Sequence, residues 1–159
     1  MPTATSLDAE TITRLRAVIC RLSRHFNVSP ANAGLTPSQI SVLGSISTHG
    51  PIGIKELAAR ERLNATMVSR IITALQELGL IDRLAHPDDR RAALVTLTTG
   101  GRQTLDRVRA ERTRGLVESI EQMSGPEAAA LLGALPALES LARQFGIDGT
   151  TGTQTDGVG

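Results

Sequence analysis

Between Ile54 and Ile81 the apolar positions of the chain fall into two short helical runs that meet at a turn, IKELAARERLNATMVSRIITALQELGLI. In the second run Val68, Ile71, Ile72 and Leu75 share one helical face, while Thr66, Arg70 and Thr73 fall on the opposite one. Asn64 stands where its side-chain oxygen can cap a first-turn N–H, and Gly79 stands where a helix end needs a left-handed residue. The pattern reads as a helix-turn-helix with one face to pack and one to contact a partner. The same spacing also fits an amphipathic helix pair in any globular core, and the pattern alone leaves both open. Beyond Gly79 the period changes to two. Val95 and Leu97 alternate with Thr96 and Thr98 in a half-buried strand pattern, and Ile81 to Leu84 can supply the partner strand, predicting a β-hairpin around His86-Pro87-Asp88-Asp89-Arg90-Arg91.

The flanks are helical in pattern. A first helix is expected from a cap near Ser6, with Ile12, Leu15, Ile19, Leu22 and Phe26 forming a stripe flanked by Arg14, Arg16, Arg21 and Arg24, and it ends before Pro30. Residues 29–34 read as a connector. Thr36-Pro37-Ser38-Gln39 is a capping-box arrangement opening a second helix to about His49, with Ile40, Leu43 and Ile46 inward and Gly50-Pro51 as the break. Thr98 can cap a long helix to about Met123 that carries Leu105, Val108, Leu116 and Ile120. Ser124 with Glu127 then opens a last helix bearing Leu131, Leu135, Leu138 and Leu141, which Pro136 is expected to kink or split. Residues 1–5 are small and polar. Residues 148–159 hold four Gly and four Thr with almost nothing to bury, so disorder is expected there. The stripes of the terminal helices need a partner surface, either a second copy or, in a monomer, the chain's own core.

The run Glu56 to Ile81, followed by DDRRAALVTLT and Gly101, resembles the MarR family of winged-helix regulators. The resemblance spans roughly Leu7 to Phe145, and its specific part is confined to residues 36–101. It implies a mostly α fold with a small β-hairpin wing, a winged helix-turn-helix with N- and C-terminal dimerisation helices. The boundaries expected are residues 1–35 for the first dimerisation helix and connector, 36–98 for the DNA-binding lobe, 99–147 for the C-terminal dimerisation helices and 148–159 for the tail. It further implies a homodimeric repressor on a pseudo-palindromic operator of double-stranded DNA, released by a small aromatic or lipophilic effector, with no cofactor. The pair Asp89-x-Arg91 matches the family's wing-tip element. Arg62 departs from the pattern, since many helix-turn-helix sequences place Gly in the turn. Some relatives carry a redox-active cysteine in the first helix supported by tyrosines; this chain has Cys20 there and no Tyr, so Cys20 is expected to be a buried, inert small hydrophobe.

Candidate DNA contacts follow from the residue types. Thr66 and Arg70 can reach major-groove base edges, with arginine suited to guanine, and Asn64 and Thr73 can serve phosphates or bases. In the wing, Arg91 is the expected minor-groove residue, Asp89 can orient its guanidinium through charge-assisted hydrogen bonds, and Arg90 lies beside them. The alternative for this segment is a charged, solvated loop. A different class of function is a winged-helix module that dimerises or binds protein without DNA; Arg70 and Arg91 argue against it.

Charge alone does not announce nucleic acid. The net formal charge is +1, and residues 36–98 hold seven basic against six acidic side chains, so any electrostatic footprint must come from local placement. Sixteen of the 17 basic residues are Arg and only Lys55 is Lys, which suits planar recognition, although genomic codon bias is the simpler account. With no Trp or Tyr and only Phe26 and Phe145, an aromatic platform for single-stranded bases is not expected. At 159 residues and 40% apolar content the chain suits one compact unit. No membrane-length apolar run or signal segment is present, and a lone cysteine fits a reducing compartment, so a cytoplasmic protein is expected. Neither an enzyme nor a metal site is expected: His25, His49 and His86 lie in three different elements, and Cys20 and His25 sit about 140° apart around a helix.

Overall fold

Most of the helices begin where a side chain can take a free N–H. The computed structural model describes residues 8–28, 32–88 and 92–146. Helix α1 (Ala9–Asn27) is capped by Asp8, whose Oδ1 accepts from Thr11 N at 2.8 Å. The expected cap, Ser6, lies outside the described residues, and the carboxylate two positions later does the work instead. That hydrogen bonding to Thr11 holds the Asp8 carboxyl below its ordinary range. Helix α2 (Pro37–His49) opens on the predicted capping box: Thr36 Oγ1 accepts from Gln39 N at 3.2 Å, and Gln39 Oε1 accepts from Thr36 N at 2.8 Å. Strand β1 (Ile52–Gly53) and helices α3 (Ile54–Glu61) and α4 (Ala65–Glu77) follow. Strands β2 (Ile81–Ala85) and β3 (Ala93–Leu97) then lead into α5 (Thr99–Glu121), α6 (Gly125–Gly133) and α7 (Leu135–Gln144).

The hairpin pairs as the alternation requires, antiparallel with Ile81 opposite Leu97 and Arg83 opposite Val95. The structure adds a strand that the pattern did not predict. β1 pairs with the other edge of β3, giving the order β1-β3-β2, because two residues are too few to show a period. Pro136 splits the last helix into α6 and α7, as expected of a residue without an N–H. At the start of α6, Glu127 Oε2 accepts from both the N–H (3.2 Å) and the hydroxyl (2.5 Å) of Ser124, and these bonds hold the Glu127 carboxyl below its ordinary range.

The core lies in the central lobe. Val42, Leu43 and Ile46 of α2, Leu57 of α3, Val68, Ile72 and Leu75 of α4, Ile52, Ile81 and Val95 of the sheet, and Leu105 and Val108 of α5 are all buried together. The terminal helices contrast with this. α1, α6 and α7 contain no buried residue, and their stripes are open: Ile19 is 44% and Leu135 52% exposed. In α5 the inward stripe stops at Val108, and Leu116 is exposed. Cys20 is likewise exposed rather than buried, because α1 has no cover within this chain. One buried polar group ties the connector to α5. Asn32 donates through Nδ2 to the Asn27 carbonyl (2.8 Å), and its Oδ1 accepts from Arg112 Nη2 (2.7 Å) and Nε (3.2 Å). The tail expected to be disordered lies outside the described residues.

Candidate nucleic-acid interface

Helix α4 is fixed by its apolar side. Val68, Ile72 and Leu75 are 0% exposed, and each such buried side chain contributes about 1.5–3 kcal/mol relative to leaving it in water. Ile71 is half-buried at the margin of this face. Thr66, Arg70 and Thr73 are exposed on the other side, within about 60° of arc at 100° per residue. Among the described residues Arg70 makes no hydrogen bond or ion pair. Asn64 is the N-cap: its Oδ1 accepts from Met67 N at 2.8 Å, which leaves the amide NH2 to donate outward. Thr73 donates its hydroxyl to Ser69 O at 2.9 Å, so toward a partner it offers lone pairs. The N-terminal end of α4 therefore combines the positive pole of the helix, an outward amide and an unpaired guanidinium, whereas Glu77 closes the C-terminal end with a negative charge. An anionic duplex is favoured at the first turns and disfavoured at the last.

The turn before α4 contains Arg62 at φ 53° and ψ 36°, the left-handed conformation for which many such turns use glycine. A side chain there costs roughly 1–2 kcal/mol. The turn keeps the hydrogen bonding of a glycine-type helix end, with Leu63 N donating to Ala58 O at 3.0 Å. The orientation of α3 is held by a contact the linear pattern did not reveal. Glu61 accepts from the hydroxyl of Ser41 at 2.6 Å and also from that of Ser45, partners 20 and 16 residues away on α2. The adjacent Arg60 pairs with Glu56 (3.1 Å) and lies 3.3 Å from His49 Nε2.

The base of the wing is stitched to the end of α4. Gly79 takes φ 70°, Leu80 N donates to Leu75 O (2.9 Å), Thr98 N donates to Leu80 O (3.1 Å), and Thr98 Oγ1 donates to Gly79 O (2.7 Å) while accepting from Gly101 N (2.9 Å). Helix α4, the hairpin and α5 thus meet at one junction. Of the candidate site residues, Asn64, Thr66, Arg70 and Thr73 are brought together on α4. Asp89, Arg90 and Arg91 lie outside the described residues. Among the described residues no group of three or more His, Cys, Asp or Glu converges, and no helix is long and apolar enough to cross a membrane.

A helix-turn-helix whose second helix is buried on one side and polar on the other, with a hairpin anchored to its C-terminus, defines a DNA-binding winged helix. Comparison with known proteins agrees. Residues 35–93 match the model of the MarR family. An uncharacterized HTH-type transcriptional regulator of Mycobacterium leprae is 30% identical over 113 residues, covering 71% of this chain and 79% of the relative. The HTH-type transcriptional repressor MdtR of Bacillus subtilis is 29% identical over 112 residues, covering 70% and 72%. A crystal structure from Pseudomonas aeruginosa, described as a transcriptional regulator, superposes with a TM-score of 0.73 at 33% identity, over 87% of this chain and 99% of that one. The chain belongs to the MarR family and is a DNA-binding transcriptional regulator.

Proposed function

We propose that the protein is a homodimeric repressor that acts in the cytoplasm on a pseudo-palindromic operator, with no catalytic role. The observation that carries this reading is the exposed face of α4, where Asn64, Thr66 and Thr73 accompany the Arg70 guanidinium, which has no ion pair among the described residues. Residues 36–98 form the reading lobe in this proposal. Repression rests on the likeness to MdtR, which is described as a repressor. Titration of duplex DNA at two salt concentrations, followed by footprinting on the source genome, tests it: binding that is insensitive to salt and to sequence overturns it.

Dimerisation rests on the open stripes of α1, α6 and α7, which are apolar and uncovered within the chain. Packing residues 1–35 and 99–147 of two copies about a two-fold axis would cover them and present two α4 helices to the two half-sites of an operator. Removal of residues 124–159 is expected to give a monomer or an aggregate in sedimentation, and a soluble, unchanged dimer would sink the proposal. Removal of 148–159 alone is expected to change neither folding nor dimerisation.

Effector release has a candidate location. A cleft of about 840 Å³ lies between α2, the end of α3, α5 and the residues after α7, lined by Ser41, Ser45, Arg60, Glu61, Arg62 and Arg109 among others. Its arginines suit a carboxylate, and its polar lining favours an aromatic acid over a neutral lipophile. Such acids are expected to lower operator affinity, with calorimetric binding lost in Arg62→Ala and Arg109→Ala. Absence of binding across a panel of aromatic acids removes this part of the reading.

In the wing, Arg91 is proposed to enter the minor groove with Asp89 orienting it, and Arg90 to contact the adjacent backbone. A guanidinium in a narrow groove meets enhanced negative potential, so Arg91→Ala is expected to cost on the order of 1–3 kcal/mol by analogy with base-reading arginines. Asp89→Ala is expected to weaken binding too, opposite in sign to the simple effect of deleting a carboxylate near DNA. Tighter binding by Asp89→Ala refutes the orienting role, and unchanged binding by Arg91→Ala makes the wing tip a solvated loop.

A further inference from the structure

Met67 is the one large apolar side chain among the exposed residues of the first turns of α4, 47% accessible, and the folded chain gives no packing reason for it. Its main-chain N–H serves the Asn64 cap, which any residue other than proline supplies. Its side chain, with those of Asn64, Thr66, Arg70 and Ile71, lines a shallow depression of about 420 Å³ on the outer surface of the helix. At 100° per residue Met67 stands about 60° around the helix from Arg70 and about 4.5 Å behind it along the axis. A polar reading face thus has an apolar patch directly beside its arginine.

The most prominent apolar feature that the major groove offers such a patch is the C5-methyl group of thymine, set among hydrogen-bond donors and acceptors. Resting on the reading of α4 as the groove-entering helix, we propose that Met67 determines specificity by packing its thioether against a thymine methyl. The 4.5 Å axial offset places that thymine within one or two base-pair steps of the base read by Arg70, since successive pairs are spaced by about 3.4 Å. Methionine is suited to this contact, because its unbranched, polarizable chain adapts to the irregular surface of stacked base edges. The depression beside Ile71 gives the methyl a second apolar wall.

Replacing thymine by uracil removes this methyl and nothing else. The experiment selects an operator from a random duplex library with the full-length protein, then substitutes uracil for each thymine in turn and titrates wild type, Met67→Ala, Met67→Leu and Arg70→Ala. For wild type, uracil at one position per half-site is expected to weaken binding about fourfold, the equivalent of a buried methyl group of ~0.8 kcal/mol, and about fifteenfold with both half-sites substituted. Met67→Ala is expected to bind thymine and uracil duplexes alike, and Met67→Leu to retain the preference. Circular dichroism of the variants confirms that the exposed position leaves the fold unchanged. If wild type binds every uracil duplex as tightly as its parent while Arg70→Ala still fails to bind, the methyl contact is refuted and the reading of α4 stands. A preference for thymine that survives in Met67→Ala also refutes it. If no sequence is enriched, or Arg70→Ala binds like wild type, the reading of α4 falls and the contact with it.

Discussion

Replacement of Arg70 by alanine is expected to abolish selective operator binding while leaving the fold intact. The guanidinium is exposed and makes no ion pair among the described residues, so its removal strands no buried partner. A bidentate contact between arginine and the O6 and N7 of guanine discriminates by about 1–3 kcal/mol, so two half-sites lose on the order of 2–6 kcal/mol together. The loss should fall on the selected operator and much less on random duplex. Arg70→Lys separates geometry from charge, because an ammonium keeps the attraction to phosphate but cannot form the planar fork. It is expected to recover the salt dependence and little of the selectivity. Equal loss on operator and random DNA, with a shallower salt slope, would instead make Arg70 a phosphate contact.

Gly101→Ala is expected to be the most destabilising single-methyl change in the chain. A Cβ at Gly101 falls 1.9 Å from the Leu80 carbonyl oxygen and 2.9 Å from its carbon, a collision with backbone that no side-chain rotation relieves. Overpacking of this kind costs about 1–3 kcal/mol, or roughly 2–4 °C of melting temperature per kcal/mol in a protein of this size. The same displacement pulls on Thr98, which joins Gly79 to the start of α5. Operator affinity is therefore expected to fall along with stability, as wing and α4 lose their common anchor. Thermal melts at fixed protein concentration check the first effect, and titration well below the melting range checks the second. Gly100→Ala is the control, since a Cβ there meets nothing nearer than 3.6 Å.

Whether the two ends of the chain cover each other across a two-fold axis is also what decides the state of Cys20. Within one chain its thiol is open, on a helix that buries nothing. Expecting it to be buried treated the apolar stripe of α1 as if its partner were already present.

Local, short-range physics was legible in the sequence. Capping pairs such as Thr36 with Gln39, the helical period of Val68, Ile72 and Leu75, the two-residue period of Val95 and Leu97, and the helix-ending Gly79 all act within a few residues, so each left its mark in the linear order. Those signals, together with the family resemblance, were enough for the winged helix-turn-helix and for the polar face of α4 proposed to meet DNA. What the tertiary structure decided involves groups distant in sequence. Glu61 finds Ser41 and Ser45, Arg112 reaches back 80 residues to Asn32, and two residues of β1 become a strand only because β3 offers an edge. Arg62 accepts a left-handed turn that its own preference opposes, because the helices on either side are held by their buried faces. The exposure of Met67 belongs to the same class: its spacing fits either margin of the helix, and only packing showed which side chains the core had left outside.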